Sequence, residues 1–219
     1  MSDELQIPTE LDELADFLRH LDRRFFAQLN FSGMDLSGAD FSHLDLSGVR
    51  FERATLRGCL FTGSLLICCN FQDANLKKAN LQGANLQGSV LAHADLVDAQ
   101  LQEANMEGVR LRGANCWRIQ AQKSIFEMAN ATAATFLEAN FEGAFFGGAD
   151  LRWSNAQTAL FNHADLREVN FERANLRGAE FRQAIMDSCN LKGAVLTQAK
   201  LHNAKLTNAN MKGCLLREA

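Results

Sequence analysis

The stretch LKKANLQGANLQGSVLAHADLVDAQL, residues 76–101, repeats one pattern every five residues. A large apolar residue stands at each fifth position from Leu76 to Leu101, and a small residue, usually Ala, stands two positions before it. A period of five is neither the period of about 3.6 of an α-helix nor the period of about 2 of a β-strand. A fixed period held over many units indicates a repeat architecture.

The same register continues in both directions without insertion. Between Phe26 and Leu216 it gives 39 large positions, which hold 13 Phe, 19 Leu and 3 Met. The small exceptions are Cys116, Ala121, Ala131 and Ala156. The positions two residues earlier hold 23 Ala, and Asn or Asp is the commonest residue between the two. A five-residue unit with two inward positions cannot bury its apolar side alone, so neighbouring units must stack into one continuous core.

The pattern A-(D/N)-(L/F)-x-x, as in Ala79-Asn80-Leu81, resembles the pentapeptide-repeat proteins over about residues 24–218. The resemblance implies an all-β fold, a right-handed quadrilateral β-helix with four pentapeptides to a coil. The Leu/Phe and Ala positions would face inward and the other three positions would face solvent. We therefore expect residues 25–219 to form a β-helix of about ten coils, and residues 1–24 to form an N-terminal tail and a capping helix. At a strand spacing of about 4.8 Å, ten coils give a rod roughly 45–50 Å long.

The N-terminal residues have the pattern of a short amphipathic helix. Thr9 is a candidate N-cap, and acidic residues follow it where the helix dipole favours them. One apolar stripe at helical spacing would cover the open end of the solenoid. A partner-docking helix is the alternative. The predicted cap residues are Leu14, Phe17, Leu18 and Leu21.

The last coils show no covering element of this kind. We expect an end-to-end homodimer through Leu206, Met211 and Leu216, since two-fold association is the commonest oligomer geometry. The outward lysines nearby are of the type that discourages edge pairing, which is the alternative way to protect this end. These lysines are Lys200, Lys205 and Lys212.

Composition and charge limit the function classes. The formal net charge is −4. Residues 25–109 hold nine acids and five bases, whereas residues 110–219 hold ten acids and fourteen bases. The solenoid is therefore neutral as a whole, with a negatively charged N-terminal half and a positively charged C-terminal half. No signal-peptide pattern or long apolar run is present, and we expect a soluble cytoplasmic protein. Of the six cysteines, only Cys68 is predicted to point outward, which favours packing roles over disulfide or metal chemistry.

Several apolar residues fall at outward positions of the repeat, where they would be available to a partner. Val97, Trp117 and Leu137 share one column of successive coils. Ile125 and Phe145 share a second column, and Trp153 faces out on a neighbouring side. Alternatively, these side chains fill gaps beside the underfilled core positions Cys116, Ala121 and Ala131, or they form a dimer face. The candidate partner surface comprises Val97, Trp117, Leu137, Ile125, Phe145 and Trp153.

No pattern of catalysis is present. The five histidines are scattered, and His43 and His163 lie six coils apart, on the order of 29 Å. The sequence has no phosphate-binding loop, zinc-protease motif, nucleophile elbow or dinucleotide fingerprint. We expect no catalytic residues, cofactor or metal, and hence no enzyme.

Two functions follow from the family resemblance. The first is a non-enzymatic interaction scaffold, as in bacterial and notably cyanobacterial-type members. The second is protection or inhibition of DNA gyrase or a related type II topoisomerase by mimicry of DNA, as in quinolone-resistance members, which would need a dense acidic surface. Direct nucleic-acid binding by the basic C-terminal half is weaker because acids interrupt the basic residues. No membrane partner is expected.

Overall fold

The β-helix is built from coils of twenty residues. The computed structural model describes Pro8, residues 11–21, Phe25 and residues 29–219. One helix, α1, spans Leu11–His20. From Asn30 onward every fifth residue forms a parallel β-bridge with the residue twenty positions later, from Asn30↔Arg50 to Val195↔Leu215. Four pentapeptides therefore complete each coil, and the predicted all-β quadrilateral β-helix is confirmed.

Each pentapeptide makes the same tight turn. In residues 76–79 the N–H of Ala79 donates to the carbonyl of Leu76 at 3.0 Å, and Lys78 has a φ of 59°. A positive φ at the third residue is the mark of a type II turn. This position is left-handed in every repeat from Gly33 to Glu218, with 14 glycines and 24 other residues. The sequence therefore tolerates side chains at corners where glycine alone is free of strain.

Hydrogen bonds between coils hold the corners in place. The N–H of Leu76 donates to Asp95 of the next coil at 2.7 Å, and the N–H of Lys78 donates to Val97 at 2.9 Å. The N–H of Asn80 donates to Cys59 of the preceding coil at 2.9 Å. Because these bonds recur in every coil, the solenoid backbone is fixed independently of which outward side chains it carries.

The interior follows the predicted register. Apart from the half-buried Met34, the large and small inward residues are almost completely buried between Leu29 and Ala199, including the underfilled positions. Phenylalanines stack in columns along the axis, with ring centroids 4.8 Å apart in both Phe51–Phe71 and Phe126–Phe146. Other rings one coil apart lie up to 5.4 Å from each other, as in Phe31–Phe51, so the aromatic stacks follow the coil rise closely.

Helix α1 packs its apolar stripe on the solenoid. Leu14 and Leu18 are buried within the same core cluster as the first coils, and Phe17 and Leu21 are half-buried against it. Arg19 also reaches Asp40 of the solenoid at 3.8 Å. Thr9, the predicted N-cap, lies outside the described residues. The cap function of α1, and a boundary between residues 24 and 25, stay predictions.

Candidate functional site

The coil register divides the outer surface into four faces, each made of a flat segment and the corner after it. We name them by their bridge residues, which recur every twenty positions. Face 1 carries 30 to 210, face 2 carries 35 to 215, face 3 carries 40 to 200, and face 4 carries 45 to 205. Faces 2 and 4 lie on opposite sides of the rod because two pentapeptides separate them.

Face 2 carries the first predicted column, and this column does not form an open apolar surface. Val97 is only 8% exposed, so the prediction that it presents an outward surface is wrong. Its short side chain stands between the longer side chains of Lys77 and Trp117 at the same position in the adjoining coils, about 4.8 Å away. Leu137, the third member, is half-buried.

Trp117 is covered by its own neighbours. The guanidinium of Arg118 lies 4.1 Å from the indole centroid, a cation–π distance. Asp98 of the preceding coil holds that guanidinium with two hydrogen bonds of 2.7 and 2.9 Å. The same hydrogen bonds hold the pKa of the Asp98 carboxyl below its usual range. The indole Nε1 is buried without a hydrogen-bond partner among the described residues. Trp117 therefore belongs to a packed cluster.

Face 4 carries the second predicted column, and here the apolar side chains are accessible. Ile125 and Phe145 form a bridge pair in successive coils, as predicted. Phe145 is 44% exposed and Met128, at the adjacent corner, is 69% exposed. Ile125 is half-buried, as is Ile185 two coils beyond Phe145.

Trp153 lies apart from both columns, on the corner after face 1, and is 49% exposed. The guanidinium of Arg152 lies 5.2 Å from its ring centroid, and Asp150 in turn holds Arg152 with an ion pair of 2.7 Å. The six residues of the predicted partner surface are thus distributed over three faces and do not form one patch. The twenty-residue register of the sequence had already indicated two columns and a separate Trp153, and the coil places the two columns on opposite sides of the rod.

Hydrogen bonding explains which bridge positions are unusual. Asn75 Oδ1 accepts the backbone N–H of Lys77 at 3.2 Å, and the same bond recurs at most Asn and Asp bridge residues. Amide side chains bond from coil to coil in only a few pairs of the described residues, such as Asn190 Nδ2 to Asn170 Oδ1 at 3.1 Å. An apolar bridge residue cannot accept the backbone N–H two residues later. Sequence reasoning did not use this loss of a hydrogen bond to single out unusual bridge positions. The exposed examples are Leu60, Leu65, Phe145 and Leu215.

The last coil, residues 199–218, is more exposed than those before it. Leu206 and Met211 are half-buried and Leu216 is 45% exposed, although all three occupy inward positions. The backbone N–H groups of Leu201, Leu206 and Met211 donate no hydrogen bond within the described residues. This end therefore offers both apolar side chains and free backbone donors.

The cysteines are arranged for packing. All six are free, and Cys68 is the exposed one, as predicted. Burial raises the pKa of Cys59, Cys69 and Cys189 to about 12, because a thiolate would be poorly solvated there. Cys59 and Cys69 thiols also donate to backbone carbonyls at 3.0 Å. Their chemistry is that of small buried side chains.

The surface of the described residues includes two open grooves. One, of about 530 Å³, lies along α1 between Asp16, His20 and Phe25. The other, of about 310 Å³, lies beside Glu52, whose carboxylate already accepts bonds of 2.7 Å from Ser32 and Asn70. Within the described part of the chain, no cluster of three or more His, Cys, Asp or Glu could hold a metal ion. Nor does that part contain a helix long and apolar enough to cross a membrane.

Comparison with solved structures finds several chains that match most of this one. HetL, a pentapeptide repeat protein involved in heterocyst differentiation regulation from the cyanobacterium Nostoc sp. strain PCC 7120, is 25% identical; the match covers 88% of this chain and 92% of HetL, with a TM-score of 0.47. Full-length QnrB1, a plasmid-mediated fluoroquinolone resistance protein, is 20% identical over 90% and 88% of the two chains, with a TM-score of 0.35. Rfr23 from the cyanobacterium Cyanothece 51142 is 17% identical over 86% and 88%, with a TM-score of 0.20.

A comparison with curated protein sequences finds no match. The family model for pentapeptide repeats matches eight times along the solenoid. The matched residues are 26–63, 45–83, 69–108, 79–118, 116–152, 146–183, 157–193 and 174–213. Because these matches run through the same five-residue register that builds every coil, the chain belongs to the pentapeptide-repeat family.

Proposed function

We propose that this protein is a non-enzymatic scaffold that presents the outer faces of a rigid rod to a protein partner. The observation that supports this proposal is the exposure of Met128, Phe145 and Trp153 on a solenoid whose core is complete without them. Exposed aromatic and methionine side chains on a rigid surface are typical anchors for partner proteins. The free cysteines fit a reducing compartment such as the cytoplasm.

A capture experiment tests the scaffold function. The purified rod is cross-linked in a lysate of its host, and each captured protein is then purified and titrated against the rod. We expect one partner to bind at a fixed stoichiometry, and we expect Phe145→Ser to weaken that complex while Trp117→Phe does not. A rod that binds no purified candidate at micromolar concentration would contradict the scaffold function.

The second candidate function is binding of DNA gyrase by mimicry of duplex DNA. Face 4 provides the observation in its favour, because it carries six acidic residues and two basic ones. The acids are Asp45, Glu107, Glu127, Asp165, Glu168 and Asp187, and the bases are Arg167 and Lys205. Even where these acids are densest, one net negative charge falls in about 5 Å of axis, whereas DNA carries one in about 1.7 Å. Charge density therefore favours the scaffold.

A supercoiling assay separates the two functions. DNA gyrase is assayed with and without a fluoroquinolone, in the presence of micromolar rod. The scaffold function predicts unchanged supercoiling and unchanged drug inhibition. Protection from the drug, or inhibition of supercoiling, would establish the gyrase function instead.

We further propose that two copies associate through the last described coil. Leu206, Met211 and Leu216 would be covered in such a dimer, and the free N–H groups of that coil would find acceptors. Light scattering after size exclusion should give twice the chain mass, and Leu216→Glu should return the protein to a monomer. A wild-type monomer at tens of micromolar would contradict the dimer.

A further inference from the structure

Face 4 combines an exposed apolar centre with a surplus of acidic residues in five successive coils. We call this surface the acidic strip and define it by the outward residues of five pentapeptides. Its apolar members are Ile125, Met128, Phe145 and Ile185, and its charged members are Glu107, Glu127, Asp165, Arg167, Glu168 and Asp187. Face 1 carries the opposite surplus over the same length, with five bases and two acids from Arg110 to Lys192 around the exposed Trp153.

The apolar centre of the strip is open and adjustable. Phe145 stands beside Gly147 and Gly148, which carry no side chains of their own. A Cβ atom at Gly148 would lie 2.8 Å from Met128 Sδ, so the methionine side chain lies across that glycine. The Glu127 side chain similarly lies over Gly147, with its Cγ and Oε1 both 3.9 Å from where a Cβ would stand. A flexible methionine above a bare backbone can move aside for an incoming side chain.

The charges around this centre are negative and largely unneutralised. The strip has five acids and one base, which gives a net charge of −4. Its one base, Arg167, is held by Asp165 with a hydrogen bond of 2.8 Å from Nε. Glu127 and Glu168 are exposed and have no ion pair within the described residues. A partner approaching Phe145 therefore meets a field that attracts cations.

Backbone donors add a third feature. At most Asn or Asp bridge positions the N–H two residues later is bonded to the side chain, but Ile125, Phe145 and Ile185 cannot accept it. Within the described residues the N–H groups of Glu127, Gly147 and Asp187 therefore donate to no protein group. Giving up such a bond costs on the order of 1 kcal/mol, a cost that Asn or Gln side chains of an occupant would offset.

The length of the strip sets the size of its occupant. From Glu107 to Asp187 the strip spans four coil steps, about 19 Å. A helical segment of about 13 residues covers that distance at 1.5 Å per residue. Apolar residues at i, i+4 and i+7 of such a segment recur about every 5–6 Å, close to the coil spacing that separates Ile125 from Phe145.

We propose that the acidic strip is a docking site for a basic amphipathic segment of another protein, with an apolar anchor of that segment against Phe145 and Met128. This inference depends on the scaffold function proposed above and names its surface and partner class. A second copy of this chain suits the strip less well. The basic corner after face 1 is already partly neutralised, with Arg152 paired to Asp150 and Lys192 paired to Glu172 at 3.2 Å.

Fluorescence anisotropy with a defined probe tests the docking site. The probe is a labelled peptide of about 13 residues with Lys on one helical face and Leu on the other. We expect Phe145→Ser in the full-length protein to weaken binding about ten-fold or more. Trp153→Ser serves as the matched control, because Trp153 has similar exposure but lies outside the strip, and it should change affinity less than about two-fold. Circular dichroism confirms that both variants are folded.

Charge is tested with the double variant Glu127→Gln, Glu168→Gln, which should weaken binding and flatten its dependence on salt. A second peptide with Ser in place of Leu should bind at least about ten-fold more weakly than the probe. If Trp153→Ser and Phe145→Ser weaken probe binding equally, the acidic strip is not the docking site. The scaffold function is not contradicted by that result. Absence of probe binding would also contradict the docking site on the acidic strip. The capture experiment would then test the scaffold function separately. Side-by-side self-association abolished by Phe145→Ser would replace the foreign partner with a second copy.

Discussion

Asn80 Oδ1 accepts the backbone N–H of Gln82 at 3.0 Å, within a single pentapeptide. The remaining N–H groups of the repeat bond to a turn carbonyl or to an adjoining coil, so this side chain completes the hydrogen bonding of its unit. The Asn/Asp preference at this position therefore has a local cause. The Asn or Asp side chain acts in place of a backbone carbonyl, because the repeat has no other acceptor for this N–H.

Replacing that acceptor should cost stability. We expect Asn80→Ala to lower the free energy of unfolding by about 1 kcal/mol, because the N–H of Gln82 loses its partner. Gln100→Ala is the matched control, since Gln100 occupies the same position one coil later and its side chain makes no such bond. Urea denaturation followed by circular dichroism measures both. Equal losses in the two variants would contradict a capping role.

The five-residue register predicted most of the fold. The buried Leu, Phe and Ala positions, the exposed Cys68 and the Ile125–Phe145 pair all follow from counting in fives and twenties, because the backbone repeats without interruption. The candidate site was less predictable. Whether an outward side chain is accessible depends on the conformations of the side chains around it. Arg118 lies over Trp117, and Asp98 bonds that guanidinium.

The corners of the rod store strain that glycine would relieve. Ala133 is exposed at a φ of 56°, whereas the next residue, Ala134, is buried. A left-handed alanine costs about 1–2 kcal/mol and a glycine loses about 0.5–1 kcal/mol of chain entropy on folding, so Ala133→Gly should stabilise by about 0.5 kcal/mol. Ala134→Gly should destabilise by about 1–2 kcal/mol, since it removes a buried methyl without relieving strain. Thermal and urea unfolding of the two variants should therefore shift in opposite directions. Two shifts of the same sign would disprove the strain.

Thiol labelling should distinguish the outward cysteine from the packed ones. With iodoacetamide at pH 8, mass spectrometry of the folded protein should show rapid modification of Cys68 and slower modification of the half-buried Cys214. All six should react in denaturant. Cys68→Ser should remove the rapid phase, whereas rapid labelling of Cys59 in folded protein would contradict the packing described.

The same buried thiols predict how stability changes in alkali. Cys59, Cys69 and Cys189 have pKa values of about 12 in the folded protein, against about 8.5 in an unfolded chain. Above about pH 9 the unfolded chain therefore releases protons that the folded protein retains, and stability falls as the pH rises towards 12. The triple variant with Ala at these positions should lose less stability over that range, as measured by urea unfolding at pH 8 and pH 10.5. A parallel decline in both proteins would exclude the thiols as its cause.

The two tryptophans should report the difference between a packed and an open aromatic residue. Trp117 lies beneath Arg118, whereas Trp153 is 49% exposed. In Trp153→Phe the remaining indole should emit at shorter wavelength and resist acrylamide, and in Trp117→Phe the remaining indole should be quenched readily. Asp98→Ala in the Trp153→Phe background should increase quenching of Trp117, because Arg118 loses the carboxylate that holds it over the ring. Unchanged quenching in that variant would mean that the coil backbone alone covers Trp117. Packing within face 2 would then shield the indole from solvent without the Asp98–Arg118 ion pair.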